Sequence, residues 1–445
     1  MPIGRLIAVM SVPMMISMFV QALYNIVDSM FVAFISENAL AAVSLAFPVQ
    51  TVMHALGVGT GVGVSALVSR SLGQGDALMA KKAANVQMFL SALYSVAFLI
   101  LGLLFSRMFF QMQTDIEEII NYGEEYLSVV CIFSIGLFYG QNLEKLLVAV
   151  GLSPRSMISQ ASGAIINIIL DPILIFGWGP FPEMGVRGAA IATVIGQIFA
   201  ACLAFYFNVR ANKQTRFDLK LMRPQKKVIS EIFVVGIPSM ITVGLPSVTG
   251  YVMNGIFLTY STTATAFYGI WIKLQSFAFM PVFGINNGTI PIYSYNYGAR
   301  RYDRVRETLK KALVLGLSVT VAAMAIFEII PGQLLSLFKA SDYMLEIGTF
   351  AIMLCSLSLP LGAVSVLFSA SFQAMRHSHY TLIINICRQL VCPVLFGYLL
   401  SRMGSLGSIW FFPLLSECVA FALSVLFCVK ILAKFRKEEA EGDSV

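Results

Sequence analysis

Charged residues are scarce in this sequence. Asp, Glu, Lys and Arg together make up 12% of its 445 residues, whereas hydrophobic residues make up 58%. A soluble globular domain carries about 25% charged residues. The composition therefore excludes an ordinary soluble domain and predicts a polytopic membrane protein.

Cysteine and histidine are also few, and neither forms a recognisable pattern. The seven cysteines all lie in apolar stretches without a CxxC spacing, and there are three histidines. Disulfide frameworks and zinc sites are recognised by such patterns. We therefore expect neither of them, and no cofactor.

Long apolar runs, in contrast, recur along the whole chain. About 20 apolar residues in a helix cross a hydrocarbon core of about 30 Å. We expect an all-α membrane protein with twelve membrane-spanning helices. They fall at about residues 8–34, 41–69, 84–110, 122–148, 157–177, 188–209, 231–258, 265–294, 312–330, 346–373, 380–401 and 405–430.

The basic residues favour one orientation of these spans. With both termini in the cytoplasm, the inner segments hold 23 of the 30 Lys and Arg residues, seven of them in 210–227. Such a bias is typical of cytoplasmic loops. It also accounts for the net charge of +7, so we expect no nucleic-acid partner. The short termini and the lack of large loops favour the bacterial cytoplasmic (plasma) membrane.

The two halves of the chain resemble each other. When the sequence is aligned with itself so that position 39 meets position 264, the stretch 39–73 shows seven identities without a gap. They include Gly59 with Gly284 and Gly63 with Gly288. Two glycines repeated at the same points of two spans indicate an internal repeat.

This repeat predicts the organisation of the chain. We expect two pseudo-symmetric six-helix lobes, 1–209 and 231–430, around a central cleft. A basic cytoplasmic linker, 210–230, and a cytoplasmic tail, 431–445, complete the chain. Because each half has an even number of spans, the repeats are parallel, as in alternating-access carriers.

Polar residues share one face of the first span, although its other positions are apolar. Gln21, Tyr24, Asn25 and Asp28 stand at i, i+3, i+4 and i+7. A carboxylate inside a span costs roughly 2.5–3.5 kcal/mol, so it is rarely there without a function or a partner.

The fifth and sixth spans carry matching polar groups. Asn167 and Asp171 stand one turn apart, and Thr193 lies near the start of the next span. At about 1.5 Å per residue, Asp28, Asp171 and Thr193 all lie roughly 8–9 Å below the outer face. The shared depth predicts one site for a cation or a proton, because oxygen ligands suit both. A hydrogen-bonded cluster that only holds the helices together is the alternative.

One acid and two bases within the spans of the second half are considered together. Glu417 is near the middle of the last span, with Arg388 and Lys273 as possible partners. Glu417 is either a substrate-binding or proton-linked acid or one half of a buried ion pair. The ion pair is the favoured interpretation, because an unpaired buried charge is costly.

The motifs around the aspartates resemble those of the multidrug and toxic compound extrusion (MATE) family. They are the NxxD of span one, LAAVSLAFP after it, NIILDPILIFG with GVRGAAIAT, and GINNGTIPIYSYNYGAR. In the DinF-like and MepA-like branches, the residues matching Asp28, Asn167, Asp171 and Thr193 form the cation site. The NorM-like branch has acids in spans seven and ten. In this sequence, span seven has Met253 and Asn254 near the point that repeats Asp28. The resemblance thus implies coupling in the first lobe.

The resemblance implies a secondary active multidrug efflux transporter and not an enzyme. Its expected partners are the lipid bilayer and cationic or amphipathic organic compounds, exported in exchange for H+ or Na+. A Na+-coupled protein would use Asp28, Asn167, Asp171 and Thr193 as metal ligands. The alternatives are a flippase for lipid-linked saccharides, which needs more intramembrane bases, and a receptor that does not transport. Two lobes in one chain make a monomer sufficient.

Overall fold

The structure is a computed structural model that describes residues 1–338, 340–403 and 406–442, without the side chains of 436–442. Every regular element in these ranges is helical. The helices are α1 (Ile3–Ala33), α2 (Glu37–Gly73), α3 (Ala77–Gln111), α4 (Glu117–Ile132), α5 (Ile135–Ala149), α6 (Ser153–Phe176), α7 (Gly185–Ala211), α8 (Lys226–Leu258), α9 (Thr262–Gly298), α10 (Tyr302–Ile329), α11 (Pro331–Ser336), α12 (Asp342–Ser356), α13 (Ser358–Ala374), α14 (Ser378–Ile386), α15 (Cys392–Ser401), α16 (Leu406–Ile409) and α17 (Phe412–Gly442).

The twelve predicted spans each correspond to a helical stretch. Ten stretches of the described residues are long and apolar enough to cross a membrane, and α4 with α5, bent by 48°, makes an eleventh. The one remaining predicted span, 265–294, lies within α9, which has 37 residues. The chain is therefore a multi-pass membrane protein, as its composition predicted.

Four of the predicted spans are interrupted. In the described residues, the span at 405–430 consists of α16 and the first part of α17. The span at 122–148 consists of α4 and α5, and the span at 346–373 consists of α12 and α13. The span at 380–401 contains a π-helical turn, Cys387–Val391, between α14 and α15. Such a turn widens the helix locally and is frequent at sites with a special role.

Serine side chains define where two equivalent helices begin. Ser36 accepts a hydrogen bond from the Ala39 amide at the start of α2, at 3.0 Å. Ser261 accepts one from the Ala264 amide at the start of α9, also at 3.0 Å. Each serine satisfies an amide that has no partner within its helix. The two caps occupy equivalent positions, because the alignment that pairs 39 with 264 also pairs 36 with 261.

The helices form two compact units. The N-terminal unit is Val12–Met240, and the C-terminal unit combines Met1–Ser11 with the chain from 241 onward. The first turns of α1 therefore belong to the C-terminal unit, and the first half of α8 belongs to the N-terminal unit. The lobes 1–209 and 231–430 were predicted from the internal repeat, and as the two halves of that repeat they stay a prediction.

Glycines on α2 and α9 allow close packing against the first half of α8 and the first turns of α1, respectively. A Cβ at Gly63 would lie 2.2 Å from the Ile232 carbonyl oxygen on α8. A Cβ at Gly288 would lie 2.6 Å from the Ser11 hydroxyl on α1. Both contacts are shorter than real side chains allow, so each position requires glycine. The two glycines are one of the pairs that the internal repeat aligns.

The last helix continues beyond the predicted membrane boundary. α17 runs to Gly442, so the segment predicted as a tail is helical over 431–442. Residues 443–445 of that tail lie outside the described residues.

Candidate functional site

The candidate site is built on the close packing of α6 against α7. A Cβ at Gly188 would lie 2.5 Å from the Leu174 carbonyl oxygen, and one at Gly196 would lie 2.6 Å from the Gly163 carbonyl oxygen. The two backbones approach each other as in other membrane helix pairs that meet through small residues. This approach brings the side chains of α6 and α7 within hydrogen-bond distance.

Asn167 is the centre of the polar cluster. Its amide nitrogen donates to Asp171 Oδ1 and to Thr193 Oγ1, both at 3.3 Å. The Tyr24 hydroxyl of α1 lies close enough to the Thr193 side chain to interact with it. Residues from α1, α6 and α7 therefore meet at one point, as their predicted common depth required.

The two aspartates are buried in the same cluster. Asp171 is fully buried and Asp28 is 8% exposed. The carboxylates are close enough for their charges to interact. Within the described part of the chain, Asp28 Oδ1, Asp171 Oδ2 and Asn167 Oδ1 are buried without a hydrogen-bond donor. Three acceptor oxygens are thus available for a cation or a proton.

Two further side chains belong to this cluster, although the sequence did not indicate them. The Tyr126 hydroxyl on α4 accepts a hydrogen bond from the Gln50 amide on α2, at 2.9 Å. Tyr126 is buried, and the charge of Asp28 acts on it. Tyrosines near the ends of membrane spans are common, so the sequence alone does not distinguish Tyr126.

The remaining residues of the α1 motif separate into two groups. Gln21 accepts a hydrogen bond from the Gln160 amide of α6 at 3.4 Å, so it helps to hold α1 against α6. Asn25 is exposed, and its side chain forms no hydrogen bond with the cluster in the described residues. It follows Tyr24 directly, so it is turned by about 100° around the helix. The structure therefore does not bring Asn25 to the aspartates.

An apolar layer lies beside the carboxylates. Phe31, three residues after Asp28, makes an edge-to-face contact with Phe176, five residues after Asp171, at 6.2 Å between ring centroids. Both rings pack against a buried cluster that includes Ile175. The apolar contacts lower the polarity around the aspartates, and this strengthens any electrostatic interaction there.

In the C-terminal unit, the buried charges neutralise each other. Arg388 Nε donates to both carboxylate oxygens of Glu417, at 2.6 and 2.9 Å, and its guanidinium lies 5.2 Å from the Phe279 ring centre. Arg388 belongs to the π-helical turn. Of the two bases considered as partners, Arg388 therefore contacts Glu417, whereas Lys273 is exposed on α9.

The repeat has no carboxylates where the N-terminal unit has two. Position 253, which corresponds to Asp28, is a buried methionine. Its sulfur would lie 2.8 Å from a Cβ at Gly397. The stretch that corresponds to α6, residues 378–401, holds no acidic residue. The polar cluster of the first half is therefore not repeated in the second half.

The fold and the buried carboxylates define a membrane transport protein. Intramembrane acids mark ion and proton pathways, and catalysis would need a nucleophile with its base. The MatE family model matches the chain in two segments, residues 13–173 and 238–399, whose first positions are equivalent in the internal repeat. The chain belongs to the MatE family, as its motifs predicted, and is a transporter and not an enzyme.

Similar proteins cover almost the whole chain. The multidrug export protein MepA of Staphylococcus haemolyticus is 29% identical over 94% of this chain and 92% of its own length. MepA of Staphylococcus aureus is 29% identical over 96% and 94%. A multidrug resistance MATE family transporter of the MOP superfamily, solved in an outward-facing conformation, is 25% identical with a TM-score of 0.91, covering 98% of this chain and 97% of that one.

Proposed function

We propose that this protein exports cationic and amphipathic organic compounds in exchange for H+ or Na+. The observation that carries the proposal is the pair of buried carboxylates, Asp28 and Asp171, with acceptor oxygens that no donor satisfies in the described residues. The similar MepA proteins are named as multidrug exporters, which supports the substrate class.

The cluster suits a small cation. Two carboxylates in an apolar environment repel each other and lack the solvation that water gives, so a bound cation lowers their free energy. The available oxygens come from Asp28, Asp171 and Asn167, with the Thr193 hydroxyl beside them. Carboxylate, amide and hydroxyl oxygens are ligands for hard cations, and carboxylates also accept protons. H+ and Na+ are both compatible with this set.

Binding of the coupling ion then drives substrate release. We propose that H+ or Na+ enters from outside and neutralises Asp28 and Asp171, which permits α1 to repack against α6 and α7. The repacked unit binds the organic cation less tightly, so the compound leaves to the outside. Loss of the ion on the cytoplasmic side resets the cycle. A ligand shifts such an equilibrium only by its different affinities for the two states.

The C-terminal unit has a structural and not a coupling role in this proposal. Glu417 is paired with Arg388, and the second half has no acidic residue at the positions that correspond to Asp28 and Asp171. The same pairing argues against a flippase for lipid-linked saccharides, because Arg388 is not available for a pyrophosphate. Lys273 alone remains of the bases that such a carrier would use.

We place the protein in the bacterial cytoplasmic membrane as a monomer with both termini in the cytoplasm. The distribution of Lys and Arg supports the orientation. The two units of one chain support the monomer, because the repeat supplies both halves of a carrier without a second copy.

Exchange by purified protein in liposomes tests the proposal. We expect a pH gradient or a Na+ gradient, imposed separately, to drive ethidium transport. Asp28→Asn and Asp171→Asn should each abolish it without lowering the melting temperature. Asp115→Asn, which changes an exposed carboxylate of the same unit, is the matched control and should transport normally. Normal transport by both site variants would overturn the proposal.

A further inference from the structure

A basic pocket lies between the start of α3 and the segment that follows α7. Its volume is about 280 Å³, and it is lined by Ala77, Leu78, Lys81, Lys213, Gln214 and Arg216. We call these six residues the basic pocket. Three cationic side chains and two apolar ones therefore face one cavity, and the candidate cation site uses none of them.

The segment that forms one wall of the basic pocket is held in place by side chains. Asn212, which is buried, accepts a hydrogen bond from the Thr215 amide at 3.1 Å and donates to the Thr215 hydroxyl at 2.6 Å. Asn85 on α3 accepts a hydrogen bond from the Asp218 amide at 2.8 Å and donates to the Arg216 carbonyl at 3.2 Å. The pocket is thus formed before any ligand arrives, which lowers the entropic cost of binding.

The charge of the pocket is positive. Lys81 pairs with Asp218 at 2.9 Å, and this hydrogen bond holds the pKa of Asp218 below its usual value, so the carboxylate stays ionised. Lys213 and Arg216 have no acidic partner in the ranges that the structure describes. The nearby Asp76 accepts the Met79 amide as the cap of α3 and does not line the pocket. Two positive charges therefore remain for an anion.

Apolar side chains surround the cations at the level where the helices end. Leu78 is 58% exposed and Leu219 is 84% exposed. Phe217 stacks on Phe205 of α7, with ring centroids 5.4 Å apart. Exposed apolar side chains beside Lys and Arg are typical of surfaces that lie in the headgroup region of a bilayer. Clusters of four to eight basic residues next to a membrane span are typical of anionic lipid recognition, and 210–227 holds seven.

We propose that the basic pocket binds the phosphate of an anionic glycerophospholipid. Lys213 and Arg216 contact the phosphate, whereas Leu78 contacts the glycerol and the start of an acyl chain. The phosphate chemistry is shared with soluble phosphate, but only a lipid uses the apolar wall. The proposal is independent of the coupling ion and extends beyond transport, because it ties the segment between the two repeats to the membrane surface.

Lipid binding by the purified full-length protein tests this site. Native mass spectrometry would give the apparent Kd for phosphatidylglycerol and for phosphatidylcholine. We expect tighter binding of phosphatidylglycerol, weakened about 25-fold by Lys213→Gln with Arg216→Gln, as two basic residues near an anionic surface predict. The matched control, Arg300→Gln with Lys310→Gln, removes two exposed charges elsewhere and should not change the Kd. An equal Kd for the pocket and control variants would overturn the proposal.

A second comparison separates a lipid from soluble phosphate. Leu78→Ser removes the apolar wall and leaves the cations, so we expect weaker phosphatidylglycerol binding. Millimolar inorganic phosphate should not displace the lipid. Displacement by inorganic phosphate, together with unchanged binding by Leu78→Ser, would overturn the lipid assignment in favour of a soluble ligand. The exposed positions of these side chains predict unchanged melting temperatures for all variants, and a thermal scan checks this.

Discussion

Asn167 is the residue on which the candidate cation site depends most directly. One amide group donates to the carboxylate of Asp171 and to the hydroxyl of Thr193, so it fixes the relative positions of two helices and two ligands. Its own oxygen remains without a donor in the described residues. The side chain is therefore both a positioning group and a possible ligand.

We expect Asn167→Ala to lower the binding affinity for the coupling ion far more than Asn25→Ala does. Loss of a group that orients ligands typically lowers metal affinity 10–100-fold. Asn25 belongs to the same sequence motif as Asp28 but is exposed and apart from the cluster. Ethidium exchange measured against the concentration of the coupling ion would give both affinities. Equal effects of the two substitutions would contradict the geometry described for the site.

Arg388 and Glu417 form a buried ion pair, and we expect it to be structural. Removing one partner leaves an uncompensated charge, so Glu417→Gln or Arg388→Met alone should lower the free energy of unfolding by about 3–5 kcal/mol. The double substitution should recover most of this loss. Thermal unfolding of the four proteins in detergent forms the double-mutant cycle. Unchanged stability with lost transport in Glu417→Gln would instead indicate a functional acid.

At the scale of helices, the site depends on positions that carry no polar group. α6 and α7 meet through Gly163, Gly188 and Gly196, and a Cβ at Gly196 would also lie 3.1 Å from the Asn167 Cβ. The sequence does not show which helices these glycines bring together, because one glycine in an apolar stretch does not indicate which helix it meets.

We expect Gly196→Ala to destabilise the protein and to impair exchange. The added methyl group has no space, and overpacking typically costs about 1–3 kcal/mol. Gly255→Ala is the matched control, because a Cβ there meets nothing within 4 Å and alanine favours a helix by about 0.5–1 kcal/mol. Melting temperatures and ethidium exchange should separate the two variants. A Gly196→Ala protein as stable and active as the control would exclude this contact as a determinant of the site.

The helices show how much of the fold the sequence determines. Hydropathy located all twelve helical stretches, because a bilayer requires long apolar runs. It did not locate the interruptions between α4 and α5, between α12 and α13, or at Cys387–Val391, since a break changes the hydrogen bonding of a few residues but not the apolar content. The spans predicted from hydropathy were also shorter than the helices that have polar ends. For example, α2 begins directly after the Ser36 cap, before the predicted start at residue 41.

The candidate site follows the same division between local and tertiary information. Asp28, Asn167, Asp171 and Thr193 could be predicted, because a polar residue in a span is costly and their helical spacing gives their depth. Tyr126 and Gln50 could not, because their role depends on α4 and α2 meeting at the aspartates. Their contribution exists only in the folded unit.

At the scale of the whole molecule, the two halves share a backbone plan but not their chemistry. The Ser36 and Ser261 caps occupy equivalent positions of the repeat, as do the close contacts at Gly63 and Gly288. The aspartates do not repeat, because Met253 stands where the repeat aligns Asp28 and no acidic residue lies in 378–401, the stretch that corresponds to α6. Close packing at these glycines is therefore present in both halves, whereas the proposed coupling site uses residues of the first half alone.

The orientation of the chain can be tested at the two ends of α7. This helix has 27 residues and is about 40 Å long, so the loop before it and the segment after it lie on opposite sides of a bilayer. The distribution of basic residues predicts that Phe181 is outside and Lys213 inside. Both side chains are exposed. In a cysteine-free, transport-competent variant, we expect a membrane-impermeant maleimide to label Phe181→Cys in intact cells. Lys213→Cys should react only in inverted vesicles. The reverse pattern would place both termini outside, and the basic pocket would then face the outer leaflet.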